Sequence, residues 1–329
     1  MKAIIKILAL LLHFVAIAQD KELYVSYQDF GFHKQPKTVT KVHYEFLDKV
    51  VDQSKEVFEF DTEGNITTYT KINFANDNKT TKNIFIYENG LLVEERQVLP
   101  TPEKSKWNTT TYEYNQQKQL VNKVKIYDRG VLDRYYYYYK KGKIIKQEKV
   151  SLKGATTLTQ DYLYNKEGKL YQVNLKETMH LKENKHWTAS YLDGFKIFEL
   201  DDDHKSSFLY TYDENIEIQY IITGKQLLQD LQDVQKTLSK SDYTGADEFQ
   251  ELLFDTNQLY ANNQKMINRM NYHKKNQYED IITTVGIMYS AKNKTENIAF
   301  QEIIYADGSK SGTTDFNLII YNEMKKVLN

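Results

Sequence analysis

The sequence predicts a mainly β chain. An antiparallel β-hairpin repeat meander, an open, curled or spiralling sheet with a period of about 26 residues, is followed by an α+β C-terminal segment. Three observations lead there. An aromatic-x-aromatic pair recurs at near-constant spacing, each pair is followed by a short polar turn and then Leu or Ile, and the apolar spacing changes from Gly224 onward.

The repeat reads FEFDTEGNI (Phe58 to Ile66), FIYENGLL (Phe85 to Leu92), YEYNQQKQL (Tyr112 to Leu120), YYYKKGKI (Tyr137 to Ile144), YLYNKEGKL (Tyr162 to Leu170), SYLDGFKI (Ser190 to Ile197) and YTYDENI (Tyr210 to Ile216). Its second aromatic falls at 60, 87, 114, 139, 164, 191 and 212, in steps of 27, 27, 25, 25, 27 and 21 residues. Alternating residues on either side of a Gly, Asn or Asp turn mark a β-hairpin. Further turn residues between units, such as Asn76-Asp77-Asn78, Pro100-Thr101-Pro102, Asp128-Arg129-Gly130 and Lys153-Gly154, make each period two strands and two turns.

Tyrosine suits such strands because a thin sheet covers only half of each side chain. The ring buries its face and the hydroxyl stays wet. With 27 Tyr, 15 Phe and 2 Trp among 329 residues, rings carry much of the burial that Leu and Val usually provide. Columns of cross-strand rings, each pair contributing about 0.2 to 1 kcal/mol, set the register. The run Tyr135, Tyr136, Tyr137, Tyr138 and Tyr139 places rings on both faces of one strand, either under cover on both sides or as an aromatic ligand platform. With Tyr112, Tyr114, Tyr162 and Tyr164 it forms the candidate ligand surface.

These motifs resemble the YD repeats of RHS-type proteins, with their hallmark aromatic-x-Tyr-Asp-x-x-Gly-x-Leu, and more loosely the MORN-like repeats of bacterial antitoxin-type proteins. FEFDTEGNI and YLYNKEGKL match best, and the resemblance covers roughly Phe58 to Ile222. It implies β ribbons that spiral into shells or tubes, often around a C-terminal toxin. The chain departs from that pattern in three ways. The Asp is kept only at Asp61 and Asp213, with Glu88, Asn115, Lys140 and Asn165 elsewhere; the period is longer; and the Asp-Pro autocleavage motif is absent. Architecture carries over rather than activity.

From Gly224 the pattern turns helical. Leu227, Leu228, Leu231, Val234 and Leu238 share one face, with Thr223 placed as N-cap, and a second helical pattern runs from Phe249 through Met266, Ile267 and Met270. Strands return at Ile281 to Tyr289 and Ile298 to Tyr305, Asp307-Gly308 forms a hairpin turn, and Asn317 to Val327 reads as a last strand or a short helix. The organisation is therefore a leader (1–18), a Tyr-rich repeat domain (19–222) and an α+β segment (223–329) that caps the open sheet end or acts as a domain of its own.

Met1 to Ala18 has the form of a signal peptide: Lys2 and Lys6, the apolar run Ile7 to Val15, and the cleavage pattern Ala16-Ile17-Ala18. No span follows cleavage. Zero Cys excludes both disulfides and a lipobox anchor, which points to the bacterial periplasm, the outer-membrane surface or secretion. Net charge is −1 with the signs intermixed, so nucleic acid is not an expected partner.

Catalytic, metal and cofactor sites are not expected. Asp201, Asp202, Asp203 and His204 cluster at an expected turn, where Asp is common, and Asp247, Glu248, Glu251 and Asp255 fit the start of a helix. The leading expectation is an exported, non-catalytic module that binds an envelope protein or polysaccharide. The alternatives are an envelope carbohydrate hydrolase using paired carboxylates and an immunity or antitoxin-type repeat protein. An outer-membrane barrel is disfavoured because strands such as KVKIY and KIIKQEKV spread Lys over positions that would face lipid.

Overall fold

In a computed structural model of the chain, the described residues are 23, 25–47, 49–74, 79–99, 106–127, 130, 132–178, 185–192, 194–201, 207–212, 214–238, 265–289 and 294–328. The leader, most of the Asp201 to His204 cluster and residues 239–264 lie outside them.

The seven repeat units form seven hairpins. They are β2 (Lys49–Phe60) with β3 (Ile66–Asn73), β4 (Lys79–Glu88) with β5 (Leu91–Leu99), β6 (Lys106–Tyr114) with β7 (Leu120–Ile126), and β8 (Leu132–Lys140) with β9 (Lys143–Val150). The series continues with β10 (Thr156–Tyr164) and β11 (Leu170–Glu177), β12 (Lys185–Leu192) and β13 (Phe195–Asp201), and β14 (Phe208–Tyr212) and β15 (Ile216–Ile222). At Phe60, Tyr87, Tyr114, Tyr164 and Tyr191 the register shifts by a bulge. The second aromatic of each of these units therefore occupies the same place, the bulged end of its strand.

The residue after that aromatic accounts for the departures from the YD pattern. Where it is Asp61, Asn115 or Asn165, the loop is longer and the side-chain oxygen caps it: Asp61 Oδ1 accepts from the amides of Glu63 (2.9 Å) and Asn65 (2.8 Å), and Asn115 Oδ1 from those of Gln117 (3.0 Å) and Gln119 (2.9 Å). Glu88 and Lys140 instead precede two-residue turns, Asn89-Gly90 and Lys141-Gly142, in which both residues have positive φ (51°, 74° and 50°, 80°). The positive-φ pair itself reverses the chain at these turns, without an Asx residue ahead of it.

In five of the seven units the Leu or Ile after the turn is a core residue, while Leu170 and Ile216 are half-buried. Ile66, Leu92, Leu120, Ile144 and Ile197 are all buried. The next unit's tyrosine reaches back over them: Tyr87 donates to the Ile66 carbonyl (2.8 Å), Tyr114 to that of Leu92 (2.8 Å) and Tyr212 to that of Lys196 (3.0 Å). In these three cases a unit satisfies a backbone oxygen of the one before it.

The sheet is not open. β1 (Pro36–Leu47) pairs with β2 from Thr38↔Glu59 to Leu47↔Lys49, and on its other edge with β18 (Lys294–Tyr305) from Pro36↔Tyr305 to Phe46↔Glu296. With β16 (Lys265–Lys275) and β17 (Ile281–Tyr289) linking β15 to β18, the strand order returns to its start as an 18-stranded antiparallel barrel. This corrects the expected open, curled or spiralling sheet. The physical reason is that both ends of the meander would expose an unpaired edge, and joining them removes both. The C-terminal strands complete the sheet and do not cap an open end. The short β19 (Lys310–Gly312) pairs with β18 beyond the stretch that β17 covers.

By contact density the chain forms two compact units. One comprises Tyr139–Lys146 and Leu158–Asn268; the other comprises Lys21–Tyr138, Gln147–Thr157 and Arg269–Asn329. In the first, helix α1 (Lys225–Leu238) lays Leu227 and Leu231 on Ile197, Phe198, Leu200, Leu209 and Ile222. At its start the Gly224 carbonyl accepts the Leu228 amide at 3.2 Å. In the second unit, helix α2 (Leu318–Leu328) is capped by Asn317 Oδ1, which accepts the amides of Ile319 and Ile320 at 3.1 Å each. Its Tyr321, Met324 and Leu328 pack on Val285, Ile287, Ile298 and Phe300.

The second predicted helix is corrected at its C-terminal end. Met266, Ile267 and Met270 lie on strand β16, and the β16–β17 loop is a repeat-type turn in which Asn276 Oδ1 accepts from the amides of Tyr278 (2.8 Å) and Asp280 (3.1 Å). The rest of that pattern, Asp247, Glu248, Glu251 and Asp255 included, lies outside the described residues.

Candidate functional site

The candidate tyrosines divide by strand parity, because side chains two apart share a face. In the second unit, Tyr135 stands opposite Lys123, and Tyr137, buried at 4% exposure, shares its face, as does Tyr112 at 8%. Tyr136, opposite Asn122, and Tyr138, exposed at 43%, occupy the other face, where the Tyr138 hydroxyl donates to Glu148 at 2.8 Å. Tyr114 is half-buried and spends its hydroxyl on Leu92. In the first unit, Tyr139, Tyr162 and Tyr164 are half-buried, with the Tyr162 hydroxyl 3.2 Å from Gln160 Oε1 and Lys143 Nζ 5.1 Å from the Tyr164 ring centroid. These rings are built into the sheet.

What the sheet does gather on the Tyr135 face is polar chemistry between rings. Glu56 stands opposite Lys41, lies 2.9 Å from His43 Nε2, accepts from the Tyr69 hydroxyl at 2.7 Å, and has Lys71 Nζ at 3.7 Å. The His43 contact outweighs burial and, with Tyr69 and Lys41, holds the Glu56 carboxyl down at about 2. Burial lowers the Lys41 ammonium pKa. Further along, Glu95 accepts from Asn83 Nδ2 (2.6 Å) and the Tyr112 hydroxyl (3.0 Å), and burial, followed by Glu95, raises the Tyr112 pKa. A third group centres on Tyr135, with Lys123, Lys125, Lys149 and Asp133 around it.

The first unit carries a groove of about 340 Å³ across β10 to β13. The pattern of β12 makes it: Trp187, Ala189 and Tyr191 line it from one strand, and small Ala189, opposite Val173, leaves a low floor between two large rings. Gln160, Glu177, Lys196 and Glu199 add polar groups. An aromatic trough with an amide, carboxylates and an ammonium fits the alternating apolar faces and hydroxyls of a sugar chain.

Glu177 and Glu199 are the carboxylates of this groove. Glu177 faces Lys185 while Glu199 faces Ala189, four residues further along β12 and on its other side, so their Cα atoms are about 16 Å apart by strand geometry. Glu199 is also bound to Lys196 Nζ at 2.9 Å.

The sequence reading missed this groove, since Trp187 had no repeat partner and Tyr191 counted only as a register mark. The signal was the triplet of one large, one small and one large residue at alternate positions. Among the described residues no group of three or more His, Asp or Glu could hold a metal ion.

No family model and no curated protein matches the chain. Among solved structures it is similar to a porin-like protein from Bacteroides uniformis (TM-score 0.41, 8% identity, 82% of this chain and 97% of that one) and to a porin-like protein from Bacteroides vulgatus (TM-score 0.25, 15% identity, 80% and 97%). It is also similar to TcdB2-TccC3 without its hypervariable C-terminal region (TM-score 0.23, 8% identity), 82% of this chain aligning with 16% of that one. All three likenesses are weak, and the functional reading rests on the residues of this chain.

Proposed function

We propose that the chain is an exported, non-catalytic β-barrel module that binds a cell-envelope polysaccharide along the β12 groove. The observation that carries the reading is the Trp187-Ala189-Tyr191 trough with Gln160 and Lys196 at hand. Export follows from the form of residues 1–18. Hydrolysis is not favoured, because Glu199, one of the groove's two carboxylates, is held in an ion pair by Lys196.

Closure of the sheet raises the question of a lipid-spanning barrel, and the face chemistry of β2 to β8 speaks against it. One face carries Glu56, Lys71, Glu95, Lys123, Lys125 and Asp133; the other carries Lys55, Lys82, Glu94, Arg96, Glu113 and Arg134. A lipid-facing band needs one uncharged face at mid-strand. No helix among the described residues is long and apolar enough to cross a membrane.

The test is affinity electrophoresis in gels containing neutral envelope-type polysaccharides, using mature protein. Retardation by at least one polymer is expected, with Trp187→Ala reducing it roughly tenfold by removing the stacking ring. The pair Tyr136→Ser and Tyr138→Ser, which do not line the groove, should leave it unchanged. Unretarded protein in every gel, or retardation that Trp187→Ala leaves intact, would remove the reading; capture of an envelope protein in its place would move the function to protein binding.

A further inference from the structure

We propose that the half-buried ring of Tyr135 and the lysines around it form a subsite for the anionic groups, carboxylate or sulfate, of an acidic polysaccharide. In its choice of polymer this rests on the polysaccharide-binding reading, but the residues are separate from the groove. Lys123 and Lys125, two apart on β7, share one face, with Tyr135 and Asp133 directly opposite them on β8. Lys149 of β9 completes the group. The three Nζ atoms lie 4.5, 5.8 and 5.7 Å from the Tyr135 ring centroid.

Among the described residues, Asp133 is the carboxylate that the register places beside these ammonium groups. Asp133 faces Lys125, lies 3.1 Å from Lys149 Nζ, and accepts from the Tyr127 hydroxyl at 3.2 Å. The next carboxylate on this face, Glu95, is two strands away and engaged by Asn83 and Tyr112. A ring moderates the repulsion among ammonium groups but does not neutralise them. Burial works against the Lys149 charge, yet Asp133 and Tyr135 outweigh it, so the group stays firmly cationic.

The side chains of Lys149 and Asp133 are only 30% and 20% exposed, and partial desolvation strengthens the field a docking anion meets. The whole chain carries a net charge of −1, so attraction for a polyanion has to be local. Polysaccharide is favoured over nucleic acid because the ring is already ringed by ammonium groups and offers bases no free stacking platform.

The experiment measures binding of mature protein to dextran sulfate, polygalacturonate, uncharged dextran and a single-stranded oligonucleotide at low and high salt. Binding to one or both acidic polysaccharides is expected, weakening as salt rises, with the responding polymer identifying sulfate or carboxylate as the ligand group. The triple variant Lys123→Gln, Lys125→Gln, Lys149→Gln should weaken it roughly tenfold. The matching Lys→Arg triple, which keeps the charge, should restore it, and the exposed-surface control Lys153→Gln, Lys166→Gln should not change it. Unchanged neutral-glycan retardation in the Gln triple, with an unchanged Tm, separates this subsite from the β12 groove. No binding to either acidic polymer, equal loss in the surface control, or equally tight oligonucleotide binding would overturn the proposal.

Discussion

The repeat hairpins and the strands that close the sheet solve the same problem with different residues. In β2 to β8 the dry residues are scattered, an aliphatic after the turn such as Leu92 or Leu120 and single rings such as Phe60, Tyr112 and Tyr137, with half-buried rings and paired polar side chains around them. In β17, β18 and β1 the positions are apolar in succession: Val285, Ile287, Ile298, Phe300 and Val42 are buried, and α2 covers part of them. A repeat strand draws its alignment from two near-identical neighbours and from tyrosines that bond back one unit. The closing pair joins the two ends of the meander and has no repeat partner to fix its register, so it relies on a continuous apolar face.

The sharpest way to break this comparison is a cavity at the seam. Phe300→Ala removes a fully buried ring and should cost about 3 to 5 kcal/mol in urea unfolding, against about 2 to 3 kcal/mol for Leu92→Ala in a repeat hairpin. Equal costs would show that closure is no more demanding than repetition.

A smaller effect concerns the polar columns. Because the Glu56 pKa is depressed from 4.5 to about 2, its ionisation favours the folded state. The contribution, about 2 kcal/mol, is complete above the ordinary carboxyl value and is lost as the pH falls toward 2. Chemical denaturation of the wild type and Glu56→Gln between pH 6 and 2 should therefore converge at the acid end; a constant gap would show that the carboxylate's charge is not what the column uses.

Gly64 and Gly90 sharpen the view of the turns. Both have positive φ, so Ala costs about 1 kcal/mol at either, but at Gly64 an added Cβ would also come within 2.6 Å of the Tyr27 ring while at Gly90 it meets open space. Gly64→Ala should thus lower Tm more than Gly90→Ala. The smallest expected change is Tyr87→Phe, which loses the bond to the Ile66 carbonyl and should cost about 1 kcal/mol by the same measurement.

Much of the local structure could be read directly. The turns at Asp61, Asn115 and Asn165, the aromatic places at 60, 87, 114 and 164, the helix over Leu227 to Leu238 and the hairpin turn at Asp307-Gly308 all depend on residues within a few positions of each other. Met266 to Met270 misled because an alternating strand and a helix face coincide over so short a run, while the true signal lay just beyond, in the repeat-type turn from Asn276 to Asp280. The groove at Trp187 and the ammonium cluster at Tyr135 were less legible, since each draws on several strands.

From the sequence alone come the period, the hairpins and the places of their turns, because these depend on backbone preferences and neighbouring side chains. Closure through β1 and β18, the pairing of Glu56 with His43 and Tyr69, and the gathering of Lys123, Lys125 and Lys149 needed the tertiary structure. The joined ends are some 260 residues apart, and no local pattern encodes which edge a strand will meet after the twist of each intervening hairpin has accumulated.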